Sequence, residues 1–336
     1  MYRVSSARNL PAVGTSPNSV ASRGRHLTAR GALAALVLGV CLAGSLALTA
    51  SASALVRPLK SVTRVTPVTP ASPVTRGSTY LSLGDSVTFG YQEPTVVPAP
   101  NYHDASSFLG YPEQLGAALH VSVVNPACPG ETSASLINAS APSNGCENSP
   151  SPTTPNVGYR TEFPLHVHYK GSQLAFALRY LRAHQNVRLV SLMIGANDLF
   201  LCQETTSDAC QSSAELNATI AKAAGNIRRI MSAIRIQAHY RGQLAIVNYY
   251  SLDYASSVAT SPVIALNQAA DAAAKPFHVV IADGFDELKA ATLHSGSNTC
   301  VAGLLTQLGG PGTCGVHPSY AGQALLAQAL EKVVRF

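Results

Sequence analysis

A serine that could act as a nucleophile follows a short apolar stretch near the start of the folded chain. The stretch is Tyr80-Leu-Ser-Leu, and Gly84-Asp-Ser86 comes directly after it. Such an apolar run predicts a buried β-strand whose carboxyl end opens into the crevice where open α/β sheets bind ligands. A Gly-Asp-Ser triplet is also common in ordinary turns. It indicates catalysis only if other segments supply a base and donors for a developing oxyanion.

Three further residues, like Ser86, lie just after an apolar run or just before a helical pattern. Gly130 follows the β-branched run at 123–124, Asn197 follows the apolar run at 190–194, and His317 precedes a helical pattern near the C-terminus. Histidine suits a general base because its ordinary pKa is about 6.5. Backbone and amide N–H groups can stabilise the oxyanion of a tetrahedral intermediate. Taken singly, Gly130 could end a strand, Asn197 could cap a helix and His317 could precede one.

The order Ser86, Gly130, Asn197 and His317 resembles the four blocks of the SGNH hydrolase superfamily, also called the GDSL esterases and lipases, over roughly residues 78–336. The resemblance implies that Ser86 is the nucleophile and His317 the general base and acid. The backbone N–H groups of Ser86 and Gly130 and the side-chain amide of Asn197 would form the oxyanion hole. The implied fold is a three-layer α/β/α sandwich with a central parallel sheet, as in flavodoxin.

One position departs from the family pattern. The family commonly has an Asp three residues before its His, and this chain has Cys314 there. Asp283 and Asp286 are candidates for an acid that orients His317. We favour a backbone carbonyl near Cys314, because a neutral acceptor still determines which imidazole nitrogen carries the proton. The sequence therefore predicts a Ser-His dyad.

An even number of cysteines outside the N-terminal leader predicts disulfides and an oxidising compartment. We expect nearest-neighbour pairing, which is also what the resemblance to secreted family members implies. The pairs are Cys128 with Cys146, Cys202 with Cys210, and Cys300 with Cys314. The sequence has neither a C-x-x-C pair nor an H-E-x-x-H motif, so we expect no metal site and no cofactor.

The N-terminal residues 1–54 predict a signal peptide. They contain five arginines and no acid, and an uncharged stretch from Gly31 ends in Ala52-Ser-Ala54, a typical cleavage site. We expect cleavage after Ala54 and secretion, with an uncleaved anchor at the cell surface as the alternative. Residues 55–77 are rich in Pro, Thr and Val and predict an extended linker. Residues 78–336 form the predicted hydrolase domain.

Composition limits the partners of the chain. Of 336 residues, 46% are hydrophobic and 12% charged, which suits one large globular domain. Removing the five leader arginines from 23 basic residues leaves 18, against 17 acidic ones. A nearly neutral domain argues against nucleic-acid binding, which needs a clustered basic face. We expect a monomer that needs no protein partner and acts on a small-molecule, lipid or glycan ester.

Apolar patterns predict strands and helices that alternate along the chain. The predicted strands lie near 79–84, 121–125, 188–194, 243–249 and 277–282, and the predicted helices near 110–119, 171–184, 212–239, 262–274 and 318–334. This alternation indicates a parallel sheet covered by helices on both faces.

Three functions are compatible with these features. The first is a secreted serine esterase or lipase that forms an acyl-enzyme and needs no cofactor. The second is a carbohydrate or peptidoglycan O-acetylesterase. The third is a catalytically inactive surface-binding domain, which the missing acid and the Pro/Thr linker suggest.

We expect the exported protein to begin at Leu55. The physical reason is the small-residue motif that ends the apolar stretch. Intact-mass measurement of the protein recovered outside the cell checks this expectation. A full-length mass, found only in the membrane fraction, would instead support the anchor.

Overall fold

The computed structural model describes residues 71–150, 157–310 and 312–336. The predicted signal peptide and residues 55–70 of the predicted linker lie outside the described residues. Val74 is buried in the core, and its N–H donates to the Arg335 carbonyl at 2.8 Å. The packed chain therefore includes residues just before Ser78. Across the described ranges, the helices are too short or too polar to cross a membrane.

The elements alternate as an α/β protein requires. The strands are β1 (Thr79–Gly84), β2 (Ser122–Val124), β3 (Val187–Met193), β4 (Gln243–Val247), β5 (Val280–Ala282), β6 (Leu305–Gln307) and β7 (Cys314–Pro318). The helices are α1 (Ser86–Phe89), α2 (Tyr111–Leu119), α3 (Ser133–Ile137), α4 (Tyr159–Glu162), α5 (Gln173–Ala183), α6 (Ala196–Thr205), α7 (Ser213–Ser232), α8 (Ser257–Ala274), α9 (Gly284–Ala291) and α10 (Tyr320–Glu331).

Five parallel strands form the central sheet in the order β2-β1-β3-β4-β5. Every residue of β1 is buried. Tyr80 packs in one core cluster with Leu326 of α10, and Leu81 packs in a second cluster with Ile227 of α7. Successive side chains of a strand point to opposite faces, so helices cover both faces of the sheet. The predicted three-layer α/β/α sandwich is confirmed.

Strand β1 lies where the chain changes direction across the sheet. The chain passes from β1 to β2 on one side and continues with β3 on the other. Ligands of open α/β sheets bind beyond the carboxyl ends of the strands at such a switch point. Ser86, Gly130 and Asn197 follow β1, β2 and β3 respectively. The strand order therefore brings these three residues to one crevice.

The five predicted strands and the five long predicted helices are present, with small differences in their ends. Helix α8 begins at Ser257 rather than near 262, because the Ser256 hydroxyl caps it by accepting from the N–H of Ala259, and Pro262 lies inside the helix. The sequence patterns missed α6, α9 and the antiparallel β6–β7 pair. Helix α9 and the strands β6 and β7 are short, so their hydrophobic periodicity extends over too few residues to be recognised, whereas α6 has buried residues only in its first turn.

The carboxyl end of β1 is held by a buried amide side chain. Gly84 donates its N–H to the Gln173 Oε1 at 2.7 Å, and Gln173 Nε2 donates to the Gly84 carbonyl at 2.9 Å. A Cβ at Gly84 would lie 2.2 Å from Thr88 Oγ1 and 2.4 Å from the Met193 carbonyl. Only glycine allows this close approach, and the strand end two residues before Ser86 is thereby fixed.

Replacing Gln173 by Leu should destabilise the fold. The variant leaves the buried N–H of Gly84 without its partner, and such a group costs about 1 to 3 kcal/mol. We expect the free energy of unfolding to fall by about 2 kcal/mol in urea denaturation. The exposed Gln185→Leu variant is the matched control and should stay within about 0.5 kcal/mol. Equal stability of the two variants would contradict this account of the strand end.

Candidate active site

Ser86 is the first residue of the short helix α1. Asp85 caps this helix, and its carboxylate accepts from the N–H of Val87 at 3.0 Å. Gly90 ends the helix in the left-handed conformation with φ of 81°. Ser86 therefore lies at a sharp strand-to-helix turn, and only 9% of its surface is exposed.

His317 reaches Ser86 from the other end of the chain. Its Nε2 lies 2.9 Å from the Ser86 Oγ. His317 lies in β7, just before α10, and α10 is tied to the neighbouring helices through Gln323. The Gln323 side chain accepts from the N–H of Tyr111 at 2.9 Å and donates to the Val87 carbonyl at 3.0 Å. These buried contacts hold the histidine segment against the serine segment.

The imidazole is supported by a carboxylate, Glu93. Its Oε1 lies 2.7 Å from His317 Nδ1, where the sequence predicted a backbone carbonyl or an aspartate. Asp283 caps α9 instead, and its carboxylate accepts from the N–H of Asp286 at 2.9 Å. Asp283 follows β5, three strands away from β1, which at a strand spacing of about 4.8 Å is roughly 14 Å. The predicted Ser-His dyad is therefore wrong about the support of His317.

Three further features of the structure hold the Glu93 carboxylate beside His317. The N–H of Val316 donates to its Oε1 at 3.0 Å, and the hydroxyl of Thr306 donates to its Oε2. A Cβ at Gly315 would lie 1.9 Å from the same carboxylate, so glycine makes room for it. Burial raises the pKa of Glu93, but the hydrogen bond and the charge of His317, with the Thr306 bond, lower it to about 2. Glu93 is therefore ionised at neutral pH.

The sequence pattern did not identify Glu93, because the family pattern places the acid three residues before the histidine and the other candidates were Asp283 and Asp286. Glu93 instead lies seven residues after Ser86, in the loop that follows α1. The only local signal is Gly315, two residues before the histidine, and a glycine by itself does not identify an acid. The pairing becomes visible only when both ends of the chain are folded together.

Asn197 and Gly130 lie on either side of the serine and are joined through Asn144. Asn144 donates its backbone N–H to the Gly130 carbonyl at 2.8 Å and its side-chain amide to the Asn197 Oδ1 at 3.3 Å. Gly130 has φ of 83°, and a Cβ there would lie 2.4 Å from the Asn144 carbonyl. Hydrogen bonds from the backbone and side chain of Asn144 thus position both candidate oxyanion residues.

The side chain of Asp85 organises the opposite side of Asn197. The Asn197 Nδ2 lies 3.4 Å from Asp85 Oδ2, and the Tyr249 hydroxyl donates to the same oxygen. Burial raises the pKa of Asp85 to about 6, although the hydrogen bond from Tyr249 opposes the rise. Because an amide nitrogen has two hydrogens, Asn197 can bond Asp85 and still offer a donor to a substrate.

A buried carboxylate links the Gly130 loop to the Asn197 helix. Asp198 accepts from the N–H of Ser133 at 2.7 Å and from its hydroxyl at 2.6 Å. Asn226 of α7 donates to the same hydroxyl at 3.0 Å. These bonds satisfy the buried polar groups and fix α3, which follows the Gly130 loop, relative to α6.

A cavity of about 320 Å³ opens beside the serine and the histidine. Its polar end contains Asp85, Ser86, Asn197 and His317, and the rest of its wall is mainly aliphatic or aromatic. Helices α6 and α8 supply most of this wall. The arrangement places a hydroxyl, an imidazole and a carboxylate in a row at one end of an apolar pocket.

The six cysteines form three disulfides, Cys128–Cys146, Cys202–Cys210 and Cys300–Cys314. This is the nearest-neighbour pairing. Within the described ranges, one group of possible metal ligands brings Cys128, Cys146 and Glu131 together. Both sulfurs are in a disulfide, so they offer no thiolate to an ion. Cys314 is likewise bonded, which leaves the orientation of His317 to Glu93.

The family model of the GDSL-like lipase/acylhydrolase family matches residues 82–325, which include Ser86, Gly130, Asn197 and His317. The chain belongs to this family. The GDSL-like hydrolase is therefore a carboxylic ester hydrolase, in agreement with the resemblance in the sequence. No curated protein matches it.

Solved structures with a similar chain trace include three bacterial or metagenomic enzymes. A phospholipase A1 from Streptomyces albidoflavus NA297 is 18% identical, with 76% of this chain and 99% of that chain covered and a TM-score of 0.45. An acetylxylan esterase from Geobacillus stearothermophilus is 15% identical, with 78% and 95% covered and a TM-score of 0.46. A lipase from a goat rumen metagenome is 14% identical, with 76% and 96% covered and a TM-score of 0.46.

Replacing Glu93 by Gln should slow ester hydrolysis strongly while the protein stays folded. Loss of the orienting carboxylate lowers kcat by about 10⁴-fold in the Ser-His-Asp template, and we expect a loss of about 10²- to 10⁴-fold here. The measurement is kcat on a nitrophenyl ester, with circular dichroism to check the fold. Asp283→Asn, which preserves the cap of α9, and Asp286→Asn, at an exposed position in the first turn of α9, are the matched controls. Full activity of Glu93→Gln, or an equal loss in either control, would contradict the assignment.

Proposed function

We propose that this hydrolase is a secreted serine esterase or lipase that cleaves carboxylic esters through an acyl-enzyme on Ser86. The observation that carries the proposal is the row of contacts from Ser86 through His317 to Glu93, at 2.9 Å and 2.7 Å. A serine hydroxyl is a weak nucleophile, and an adjacent base oriented by a third group is what activates it. The row ends in an apolar cavity that can receive part of an ester.

In the proposed first half-reaction, the Ser86 Oγ attacks the ester carbonyl carbon while its proton passes to His317 Nε2. The tetrahedral intermediate carries negative charge on the former carbonyl oxygen. The amide of Asn197 and the N–H groups of Ser86 and Gly130 would stabilise that charge. When the bond to the leaving oxygen breaks, the alcohol takes the proton from His317.

In the second half-reaction, water replaces the alcohol. It gives a proton to His317 Nε2 as it attacks the acyl carbon, and the serine oxygen regains a proton when the acid leaves. Glu93 accepts the hydrogen bond from Nδ1 throughout and stabilises the imidazolium formed in each step. Its lowered pKa, about 2, keeps it charged over the pH range in which histidine can serve as a base.

The Glu93 carboxylate removes the main reason for proposing an inactive surface-binding domain. That hypothesis depended on the missing acid at Cys314 and on the Pro/Thr linker. Secretion is supported by the leader and by the three disulfides, which persist in oxidising compartments. The extracellular location remains part of the proposal.

Fluorophosphonate labelling tests the nucleophile. We expect the folded wild type to be labelled at one site, and Ser86→Ala to lose both the label and at least about 10⁴-fold of its turnover on nitrophenyl esters. The exposed Ser207→Ala variant is the control and should be labelled like the wild type. Labelling that persists in Ser86→Ala, or a folded wild type that takes no label, would contradict the proposed function.

A further inference from the structure

The charged residues of the hydrolase are divided between the two edges of its parallel sheet. The segments that follow the five strands, at the edge where Ser86 lies, contain eight acidic residues and no arginine or lysine; they are 85–110, 125–132, 194–198, 248–256 and 283–286. The segments at the opposite, amino edge contain eight arginines or lysines and one acidic residue, Glu331; they are 71–78, 117–121, 180–188, 233–242, 274–279 and 331–336. A domain that is nearly neutral in sum therefore has a basic end and an acidic end.

Hydrogen bonds join the segments of the amino edge into one surface, which we call the basic face. The Arg182 guanidinium donates to the Gln237 carbonyl at 3.1 Å, and the Arg235 guanidinium donates to the Phe277 carbonyl at 2.9 Å. The amide side chain at the start of β4 donates to the Arg335 carbonyl at 2.8 Å. The sheet beneath this face is about 19 Å wide from β2 to β5, at about 4.8 Å per strand.

Most cations of the basic face are exposed and have no carboxylate partner. The exposed ones are Arg76, Arg182, Arg241, Lys275, Lys332 and Arg335. Among the residues that the structure describes, Lys332 is the one member of this face in an ion pair, with Glu287. Arg182 and Arg235 bond backbone carbonyls, which leaves their charge uncompensated. The face therefore has a positive potential that attracts an anionic partner.

Two large apolar side chains are exposed within the basic face. Ile236 is 62% exposed and follows Arg235 directly, and Phe336 is 60% exposed and follows Arg335. At the surface of an anionic bilayer, cations meet the headgroups while apolar side chains enter the boundary of the acyl region. A soluble polyanion offers the charge but no apolar region. The combination therefore favours a lipid surface over a nucleic acid or an acidic polymer.

The described chain also begins at the basic face. The Arg335 guanidinium donates to the carbonyl of Ala71. The sequence before Ala71 contains Arg57, Lys60 and Arg64 and no acidic residue as far back as the uncharged stretch 31–54. Basic residues next to an apolar segment are typical of chains that bind anionic lipids. A chain that leaves a membrane after residue 54 thus enters the folded domain at this face and not at the active site.

We propose that the basic face docks the hydrolase on an anionic lipid bilayer, with its cations at the headgroups and with Ile236 and Phe336 in the acyl boundary. Strand β1 has six residues, which places Ser86 roughly 20 Å from the amino edge at about 3.3 Å per residue. The docked enzyme turns its active site away from the bilayer and meets its substrate on the opposite side. This inference goes beyond the proposed function and does not depend on it.

Sedimentation with vesicles tests the docking of the mature protein. One vesicle contains equal parts of phosphatidylglycerol and phosphatidylcholine, and the other contains phosphatidylcholine alone. We expect binding to the anionic vesicle to exceed binding to the neutral one by at least about 100-fold, because each cation near the surface contributes about fivefold. Raising the salt from about 0.05 M to about 0.5 M should lower the binding at least about tenfold.

Variants locate the docking surface. Arg241→Glu combined with Lys275→Glu should weaken binding to the anionic vesicle by at least about 100-fold. Lys170→Glu combined with Lys222→Glu changes the net charge equally at exposed positions outside the basic face, and should stay within about fivefold of the wild type. Ile236→Ser should weaken binding by about five- to tenfold. Wild-type turnover of nitrophenyl acetate by each variant checks that it is folded, and the salt series on the wild type keeps the test decisive if one is not.

Each of the other results overturns the proposal. Equal binding to the two vesicles, or an equal loss in the two double variants, would show that the basic face does not dock on anionic lipid. Binding to dextran sulfate as tight as to the anionic vesicle, with no effect of Ile236→Ser, would assign the face to a soluble polyanion. Self-association that only Arg241→Glu with Lys275→Glu removes would assign it to a second copy of the chain. Labelling of Ser86 is measured separately, so failure of the docking proposal and failure of the proposed function are distinguishable.

Discussion

The hydrogen bond between Glu93 and His317 joins two residues that are 224 positions apart in the chain. Its geometry depends on three segments meeting at one place: the loop after α1, the β6–β7 pair and the start of α10. Thr306 of β6 and Val316 of β7 both donate to the Glu93 carboxylate, so the antiparallel pair holds the acid as well as the base. A buried carboxylate with this many donors is satisfied and remains charged. The site therefore depends on a contact that no short stretch of sequence contains.

The scaffold brings Ser86 to this contact by a second set of buried polar groups. The Gln173 amide holds the end of β1, Asp198 links α6 to α3, and Gln323 ties α10 to α1. Each of these side chains bonds backbone groups that would otherwise be buried without partners. Since an unpaired buried group costs more than a hydrogen bond contributes, such bonds select one arrangement of the loops. Preorganised donors and a fixed histidine are what acyl transfer requires.

The chemistry and the apolar cavity meet at α6. Its first turn presents Asn197 to the serine, and its next turn presents Leu199 and Phe200 to the cavity. One helix therefore supplies both the candidate oxyanion donor and part of the cavity wall. The sequence pattern did not predict α6, because its ten residues show no clear apolar stripe, with buried positions confined to its first turn. Tertiary packing against α7 stabilises it instead.

The amino-acid sequence by itself determined the alternating strands and helices, the order of Ser86, Gly130, Asn197 and His317, and the even set of cysteines. These features can be predicted from neighbouring residues or from the order of residues along the chain, because an apolar strand and the turn after it are contiguous in the sequence. Only the tertiary structure decided the third member of the site, the course of β6 and β7, and the cavity between α6 and α8. Glu93 follows Ser86 along the chain but acts on His317. Such a pairing arises from the closeness of the two segments in space, which neither the type of residue nor its spacing along the chain expresses.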